Sequence, residues 1–589
     1  MVSPSKGPSN GDRVMNGPIR QWRYASEDIG LADRISRELE IPVLISRLLV
    51  ARGMRDAAVV HDYLHPDLRQ LHDPFLMDGM KAAVNRVKEA IEGNEVVGVH
   101  GDYDTDGITA TALMLTALGE MIPREKMIYK LPSRYDEGYG ISEDAVRALA
   151  QGGATLLISV DCGVQAMDAV DLARTLGMDV IVTDHHEMGT ELPKALSVLD
   201  PKVKGSGYPF KGLSGVGVAF KLVHALNLSD VLTRDIRDHL HLVALGTIAD
   251  IVPLTDENRP LVREGLEVLS ATDSPGILAL RRETGLDPGR GISSTDVSHR
   301  LAPRLNAAGR LGNPEMALEL LLTGDRVDAD VFSRELSTLN FRRQAIAARV
   351  MEEALEMARS TGALTRSSIV VAKEGWNPGV LGITASRMLE ETGKPSVVLT
   401  TEGGTARGSA RAPSGFDLLA ALEHCKGSLD RWGGHDRAAG LTMGAASIAS
   451  FKDGLDAYIS ERYPDGLPPP VIEIDLDLAP SELGIRSIVS LELMQPTGFG
   501  NPASSISIRD ALVGPRVQAV GGGKHLKFDI DGGDGHINCI WFNSGHLARN
   551  VLPGSTISIC GSPDINRWGG NDEVQIRIMD IKGLDIRPI

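Results

Sequence analysis

Between Glu95 and Val252 the sequence alternates short β-rich runs with helical stretches, and its acidic and imidazole motifs fall where the runs end. EVVGVH, TLLISVD and DVIVTDHH are apolar enough to be strands buried on both faces, while ISEDAVRALAQ and AMDAVDLARTLG have helical spacing and an acidic first turn. This alternation predicts a doubly wound parallel α/β sheet, whose ligands gather beyond the carboxyl ends of the strands. Four such ends are expected to carry donor side chains: His100, Asp102, Asp104 and Asp106 in HGDYDTDG; Asp161 in SVDCG; Asp184, His185 and His186 in VTDHHE; and Asp250 in LGTIADIVPL.

Three aspartates at alternate positions repel one another. Unit charges about 4 Å apart cost roughly 1 kcal/mol even at high dielectric, and more when partly buried. A cation among them removes that cost. Carboxylates mixed with imidazoles, without thiolates, suit Mn²⁺ or Mg²⁺ better than structural Zn²⁺, and so many donors suggest two ions. Taken singly, Asp-x-Asp-x-Asp is more often a turn, a lone aspartate a helix cap, and a His pair a surface accident. Recurrence at four consecutive ends is what points to a metal centre. Two divalent ions about 3.5 to 4 Å apart can activate water and stabilise charge on a phosphate, which is the chemistry of phosphoester hydrolysis.

The remaining chain reads as further domains, as its 589 residues require. Residues 1–20, rich in Gly, Pro and Ser, read as a disordered tail without the apolar region of a signal peptide. An N-terminal segment and the first α/β domain are expected over 21–325, then a connecting helix over 326–362 without Pro or Gly until its end. A second α/β domain follows over 363–462 with SIVVA and SVVLT as strands, then a stiff linker over 463–470. Over 471–589, runs such as HLKFDI, INCIWF and EVQIRIMDI predict a small β-barrel. GVGVAF lacks the third glycine of a dinucleotide loop and reads as a helix start packed on the sheet. A formal charge of −17 argues against non-specific coating of nucleic acid, though not against a strand held in a locally basic channel. No run approaches the roughly 18 apolar residues of a membrane span. The four scattered cysteines suggest no disulfide framework, so a cytoplasmic location is expected.

GDYDTDG, SVDCG, TDHHE and GTIADIVPL resemble the four motifs of the DHH phosphoesterase superfamily, and GSARAPSGFDLLAAL with RWGGHDRAAGLTM resembles its associated DHHA1 domain. LPSRYDEGYG, RLNAAGRLGNPEMALELL, PTGFGNP, GKHLKF and NRWGGNDEVQIRIMDI extend the likeness to the single-strand-specific DNA exonucleases of that superfamily, which carry a C-terminal OB-fold. The resemblance implies 5′ to 3′ hydrolysis of single-stranded DNA to mononucleotides in repair and recombination, with a single-strand-binding protein and a helicase as partners. It assigns metal to His100, Asp104, Asp106, bridging Asp161, His185 and Asp250, and leaves Asp102, Asp184 and His186 as ligands or as groups beside them. It assigns substrate contacts to Arg134, Arg304, Asn306 and Arg310, and phosphate contacts to Ser409, Arg411 and His435. Where these relatives commonly read Trp-His-Pro-Gly, this chain has Asn377, which cannot titrate. Trp541, Phe528 and Trp568 are candidates for base stacking in the barrel. Because all the proposed ligands precede Ile251, residues after Pro470 are expected to serve strand binding and not the chemistry. A phosphodiesterase for short or cyclic nucleotides and a catalytically dead scaffold are the competing readings. The first has no sensor or membrane segment to match here, and the second requires lost ligands.

Overall fold

The computed structural model describes residues 20–132, 140–287, 289–533, 535–566 and 572–584. The expected tail, Arg134 and Trp568 therefore lie outside the described residues, apart from Arg20. The chain divides into two compact units: Asp62–Arg343 with Met494–Ala503, and Met1–His61 with Gln344–Leu493 and Ser504–Ile589.

In the first unit a five-stranded, wholly parallel sheet is formed by β1 (Val96–His100), β2 (Met127–Lys130), β3 (Ala154–Val160), β4 (Asp179–Thr183) and β5 (Ser197–Leu199), in the order β2-β1-β3-β4-β5. Alternate residues of a strand point to opposite faces, and both faces are covered. Val97, Val99, Leu156, Ile158 and Val160 enter one core, while Leu157, Val180 and Val182 enter another with Val146, Leu149 and Val170. Each fully buried side chain of this kind contributes about 2 kcal/mol relative to exposure. Burial on both sides is why these strands read as continuous apolar runs. The sheet is doubly wound as expected, and its order reverses between β1 and β3. Pairing of His100 with Ser159, and of Val160 with Thr183, brings the motif-bearing ends level.

Five helices matter for the site: α1 (Thr105–Leu118), α2 (Glu143–Gln151), α3 (Met167–Thr175), α4 (Gly215–Leu228) and α5 (Leu240–Ala249). GVGVAF opens α4, capped by the Ser214 side chain on Gly217 N at 3.1 Å. Asp250 is not at a strand end as expected; it caps the C-terminus of α5. LHLVALGTIA is buried nearly all round, so it carries no polar stripe to separate a core helix from a buried strand.

The second unit holds a five-stranded mixed sheet, ordered Arg431–Gly434, Ala438–Gly444, Thr405–Arg411, Ser396–Glu402 and Ile369–Glu374, with only the last pair parallel. Its six-stranded C-terminal sheet closes on itself, because Ile506–Val520 pairs with both His525–Asp531 and Thr556–Asn566. That closure makes the expected barrel. Phe528 is core there and Trp541 is half-buried, so Phe528 is not a stacking ring. Gln21–Tyr24 pairs in parallel with Val471–Ile474, and Trp22 Nε1 donates to Asp580 at 2.7 Å. This pairing places the chain's first described residues in the second unit. The helix Arg326–Ser360 runs for 35 residues, as the absence of breakers predicts.

Candidate metal centre

The loop after β1 is folded tightly enough to require its glycines. A Cβ on Gly107 would lie 2.5 Å from Asp102 N, and one on Gly101 would lie 2.0 Å from Thr111 Oγ1. Asp104 caps α1, its carboxylate accepting from Asp106 N (2.9 Å) and Gly107 N (3.2 Å). The Asp106 carboxylate accepts from Gly215 N (2.7 Å) and Val216 N (2.9 Å) at the start of α4. Gly215 is small because Asp161 stands against it: a Cβ there would lie 2.3 Å from Asp161 Oδ1. Asp161, just beyond β3, has φ +60, a left-handed conformation that aspartate tolerates better than most residues.

These elements converge on the His185 imidazole. Its Nε2 lies 3.1 Å from Asp161 Oδ1, 3.6 Å from Asp250 Oδ2 and 4.0 Å from Asp106 Oδ2. Ligand atoms of three triads lie within 4.8 Å of one another: Asp161, His185 and His186; Asp106, His185 and Asp250; Asp102, Asp104 and Asp161. Sharing of Asp161 and His185 between triads describes adjoining cation sites. His100 is fully buried, with Nδ1 3.6 Å from Cys162 Sγ and Nε2 without a hydrogen-bond partner among the described residues. It belongs to none of the three triads.

The electrostatics ask for positive charge. Burial, then Asp104, pushes Asp106 up to about 7. Burial and the neighbouring aspartates hold Asp161 and Asp250 well above the usual carboxylate range. Burial lowers His185 to about 3 and His100 to about 4, so both imidazoles are neutral donors. The residues therefore fit a divalent ion: oxygen-rich, with neutral imidazoles and no thiolate ligand.

Asp184 and His186 are bound to each other. Asp184 Oδ2 accepts from Val164 N at 2.9 Å, and its Oδ1 accepts from His185 N (2.7 Å), His186 N (3.2 Å) and His186 Nδ1 (2.7 Å). Burial alone would raise Asp184 and lower His186, but the bond and charge between them outweigh it, so Asp184 falls and His186 rises. Asp184 thus orients His186 and favours its cation, while Asp102 stands with Asp104 and Asp161 in one of the three triads. Asn306 Oδ1 accepts from Thr105 N at 3.0 Å, and Gly309 packs against Tyr103 O, where a Cβ would stand at 2.2 Å. In this structure Asn306 holds the metal loop. Arg304 donates to Ser337 Oγ (3.0 Å) and Arg300 O (2.7 Å), while Arg310 is half-buried on the same helix.

In the second unit, Ser409 and Arg411 project from one strand beside the helix Pro378–Thr392. A Cβ on Gly382 of that helix would lie 3.0 Å from the Arg411 guanidinium and 3.4 Å from Ser409 Oγ. His435 is exposed after Arg431–Gly434. Asn377 caps that helix, accepting from Gly379 N at 2.8 Å.

The sequence reading missed Asp200, beyond β5 and 1 % exposed. Its Oδ1 accepts from Lys202 N at 2.7 Å, its Oδ2 has no partner among the described residues, and burial lifts it to about 7. A three-residue strand was too short a signal to mark a fifth motif.

Residues 96–247 match the DHH family, N-terminal domain; residues 366–461 match the DHHA1 domain; residues 474–580 match the RecJ OB domain. The chain is 39% identical over 565 residues to the single-stranded-DNA-specific exonuclease RecJ of Bacillus subtilis, covering 95% of this chain and 70% of that one. The chain belongs to the RecJ family. RecJ of Thermus thermophilus in complex with Mn²⁺ superposes with a TM-score of 0.81 at 29% identity, covering 95% of this chain and 79% of that one. The Mg²⁺ complex of the same RecJ gives 0.74 at 28% identity, covering 95% and 78%. With its three linked triads present, this RecJ-family site retains what a dead scaffold would have lost. No helix among the described residues is long and apolar enough to cross a membrane.

Proposed function

We propose that the chain hydrolyses single-stranded DNA from its 5′ end to mononucleotides, using two divalent ions, with Mn²⁺ preferred and Mg²⁺ serving. The observation that carries this reading is that the triad Asp106, His185 and Asp250 adjoins the triad Asp102, Asp104 and Asp161, with His185 Nε2 3.1 Å from Asp161 Oδ1. His100, Asp102, Asp104, Asp106, Asp161, His185 and Asp250 would hold the ions. Bound there, divalent cations supply an acidified water and stabilise charge on phosphate oxygens.

The chain's own side chains do the rest. Asp184 keeps His186 oriented and favours its protonated form beside the donors, where a cation can meet a phosphate. His186→Ala is expected to lower kcat by about 10²-fold, the usual worth of one such group. Mn²⁺ affinity, titrated in parallel, should hold. Loss of metal together with rate would make His186 a ligand instead.

Ser409, Arg411 and His435 form the proposed pocket for a terminal phosphate, with Arg134, Arg304, Asn306 and Arg310 proposed along the strand. Strands labelled at either end, digested with Mn²⁺ and with EDTA, test the reading. The 5′ label should appear first as mononucleotide, and EDTA should stop the reaction. Arg411→Ala should erase the preference for a 5′-phosphate over a 5′-hydroxyl and slow cleavage by about 10- to 100-fold, the worth of a charge-assisted bond. Release of the 3′ label first would overturn the polarity. A role in repair and recombination, in the cytoplasm beside a single-strand-binding protein and a helicase, fits four buried free cysteines and a single-strand substrate.

A further inference from the structure

PTGFGNP, which the site has not so far explained, lies in Met494–Ala503, the short stretch that packs within the metal-bearing unit. A buried arginine organises it. The Arg259 guanidinium, 3% exposed, donates to the carbonyls of Met494 (3.3 Å), Gln495 (3.1 Å) and Pro496 (3.4 Å), and sits 3.7 Å from the centre of the Tyr63 ring. Tyr63 Oη donates to Asn501 Oδ1 at 2.7 Å, and Asn501 Nδ2 donates to Met494 O (3.1 Å) and Pro496 O (2.7 Å). Ser294 Oγ donates to Thr497 O at 2.6 Å. A buried guanidinium directed at backbone carbonyls holds main chain in place, since those acceptors would otherwise be left unsatisfied.

What the array holds is the turn after Asp250. Leu254 N donates to Phe499 O at 2.8 Å, and Asn258 Nδ2 donates to Pro253 O at 3.0 Å. Gly498 and Gly500 lie so close that a Cβ on either would stand 2.7 Å from Leu254 Cδ1 or Pro253 Cβ. Before this anchored pair comes Ile251, which has φ +61 and is 68% exposed. A β-branched residue in that conformation is strained and persists only where its surroundings impose it. Its own side chain is too exposed to impose it. The anchored residues on its C-terminal side and the helix cap on its N-terminal side do so.

We infer that Met494–Ala503 is a positioning clip for Asp250: it fixes the turn Ile251–Leu254 and so keeps the Asp250 carboxylate beside Asp106 and His185. The inference rests on the metal-centre reading above. Metal affinity then depends on a segment far along the chain, and removing residues after Pro470 removes part of the metal-bearing unit along with the barrel. On this inference the region does more than the strand binding expected of it.

Gly500→Ala in the full-length chain tests the clip, because the added methyl pushes on Pro253 and alanine disfavours the φ of +73 at Gly500, while no donor side chain is touched. Free Mn²⁺ is followed by electron paramagnetic resonance during titration of wild type and variant. Wild type should bind two ions, and the variant should bind one of them about 10-fold or more weakly, as loss of a group supporting a ligand does. Activity lost at low Mn²⁺ should return at high Mn²⁺. Tyr63→Phe, which removes only the Oη bonds, should shift affinity in the same direction by less, and it decides the matter if Gly500→Ala does not fold. Equal Mn²⁺ affinity in wild type and the folded variants overturns the clip and leaves the metal centre standing. A loss of activity that high Mn²⁺ does not restore also overturns it. A wild-type chain that binds no Mn²⁺ overturns the metal centre itself.

Discussion

Asp161→Asn should lower hydrolysis of saturating single-stranded DNA by at least about 10³-fold, a barrier increase of roughly 4 kcal/mol. Asp161 belongs to the triad with Asp102 and Asp104 and lies 3.1 Å from His185 Nε2 of the triad with Asp106 and Asp250, so one substitution withdraws charge from between the adjoining sites. The fold should survive. Asparagine has the same shape and, like aspartate, accepts φ +60, and the backbone bond from residue 161 N to Thr183 O at 2.9 Å is untouched. In EDTA the variant should melt no lower than wild type, because a carboxyl that burial and the neighbouring Asp106, Asp104, Asp250 and Asp102 force to hold a proton is replaced by a neutral amide. Single-turnover rates with Mn²⁺, beside thermal melts in EDTA, give both readings. A variant that keeps wild-type turnover removes Asp161 from the centre.

What could be read from the sequence was set by how local each signal is. β1, β3 and β4 were legible because a sheet covered on both faces needs apolar runs, and the polar residues that end such runs mark where the chain leaves the core. Asp250 was found as a donor but placed on the wrong kind of element, since a fully buried helix has no stripe to betray it. The pairing of Asp184 with His186 was not legible. It depends on Asp184 turning its oxygens to Val164 N and His186 Nδ1, and no spacing rule encodes a rotamer. Contacts between distant segments were also out of reach. Asn306 supports Thr105 across 201 residues, and the bond from Leu254 to Phe499 joins motifs that look independent in sequence. PTGFGNP was singled out, but only its packing on the turn after Asp250 gives it a task.

The apparent affinity for Mn²⁺ should rise by up to about tenfold per pH unit between pH 6 and 7, for each proton that the cation must displace. Asp106, held at about 7 in the folded chain against an ordinary 3.8, is mostly protonated at pH 6, and Asp161 and Asp250 are raised in the same direction. His185 at about 3 and His100 at about 4 carry no proton in this window and add nothing to the slope. The same groups set how the metal-free fold responds to pH. Raised carboxylates bind protons in the folded state that the unfolded chain has released, so their contribution is complete below about 4 and disappears as pH climbs through 7. Lowered histidines act oppositely below about 6.5, because there the unfolded chain takes up protons that the buried rings refuse. The two effects oppose each other in mild acid, and above neutrality only the raised groups remain, the carboxylates together with His186. In EDTA, stability should therefore fall from pH 7 to 8.5, by about 1.4 kcal/mol per pH unit for each proton still held. With Mn²⁺ present that fall should vanish, because the ion takes the place of the protons. Melting curves with Mn²⁺ and with EDTA at half-unit steps of pH measure the difference directly. If the gap between them does not widen with pH, the crowded carboxylates are not where the cation binds.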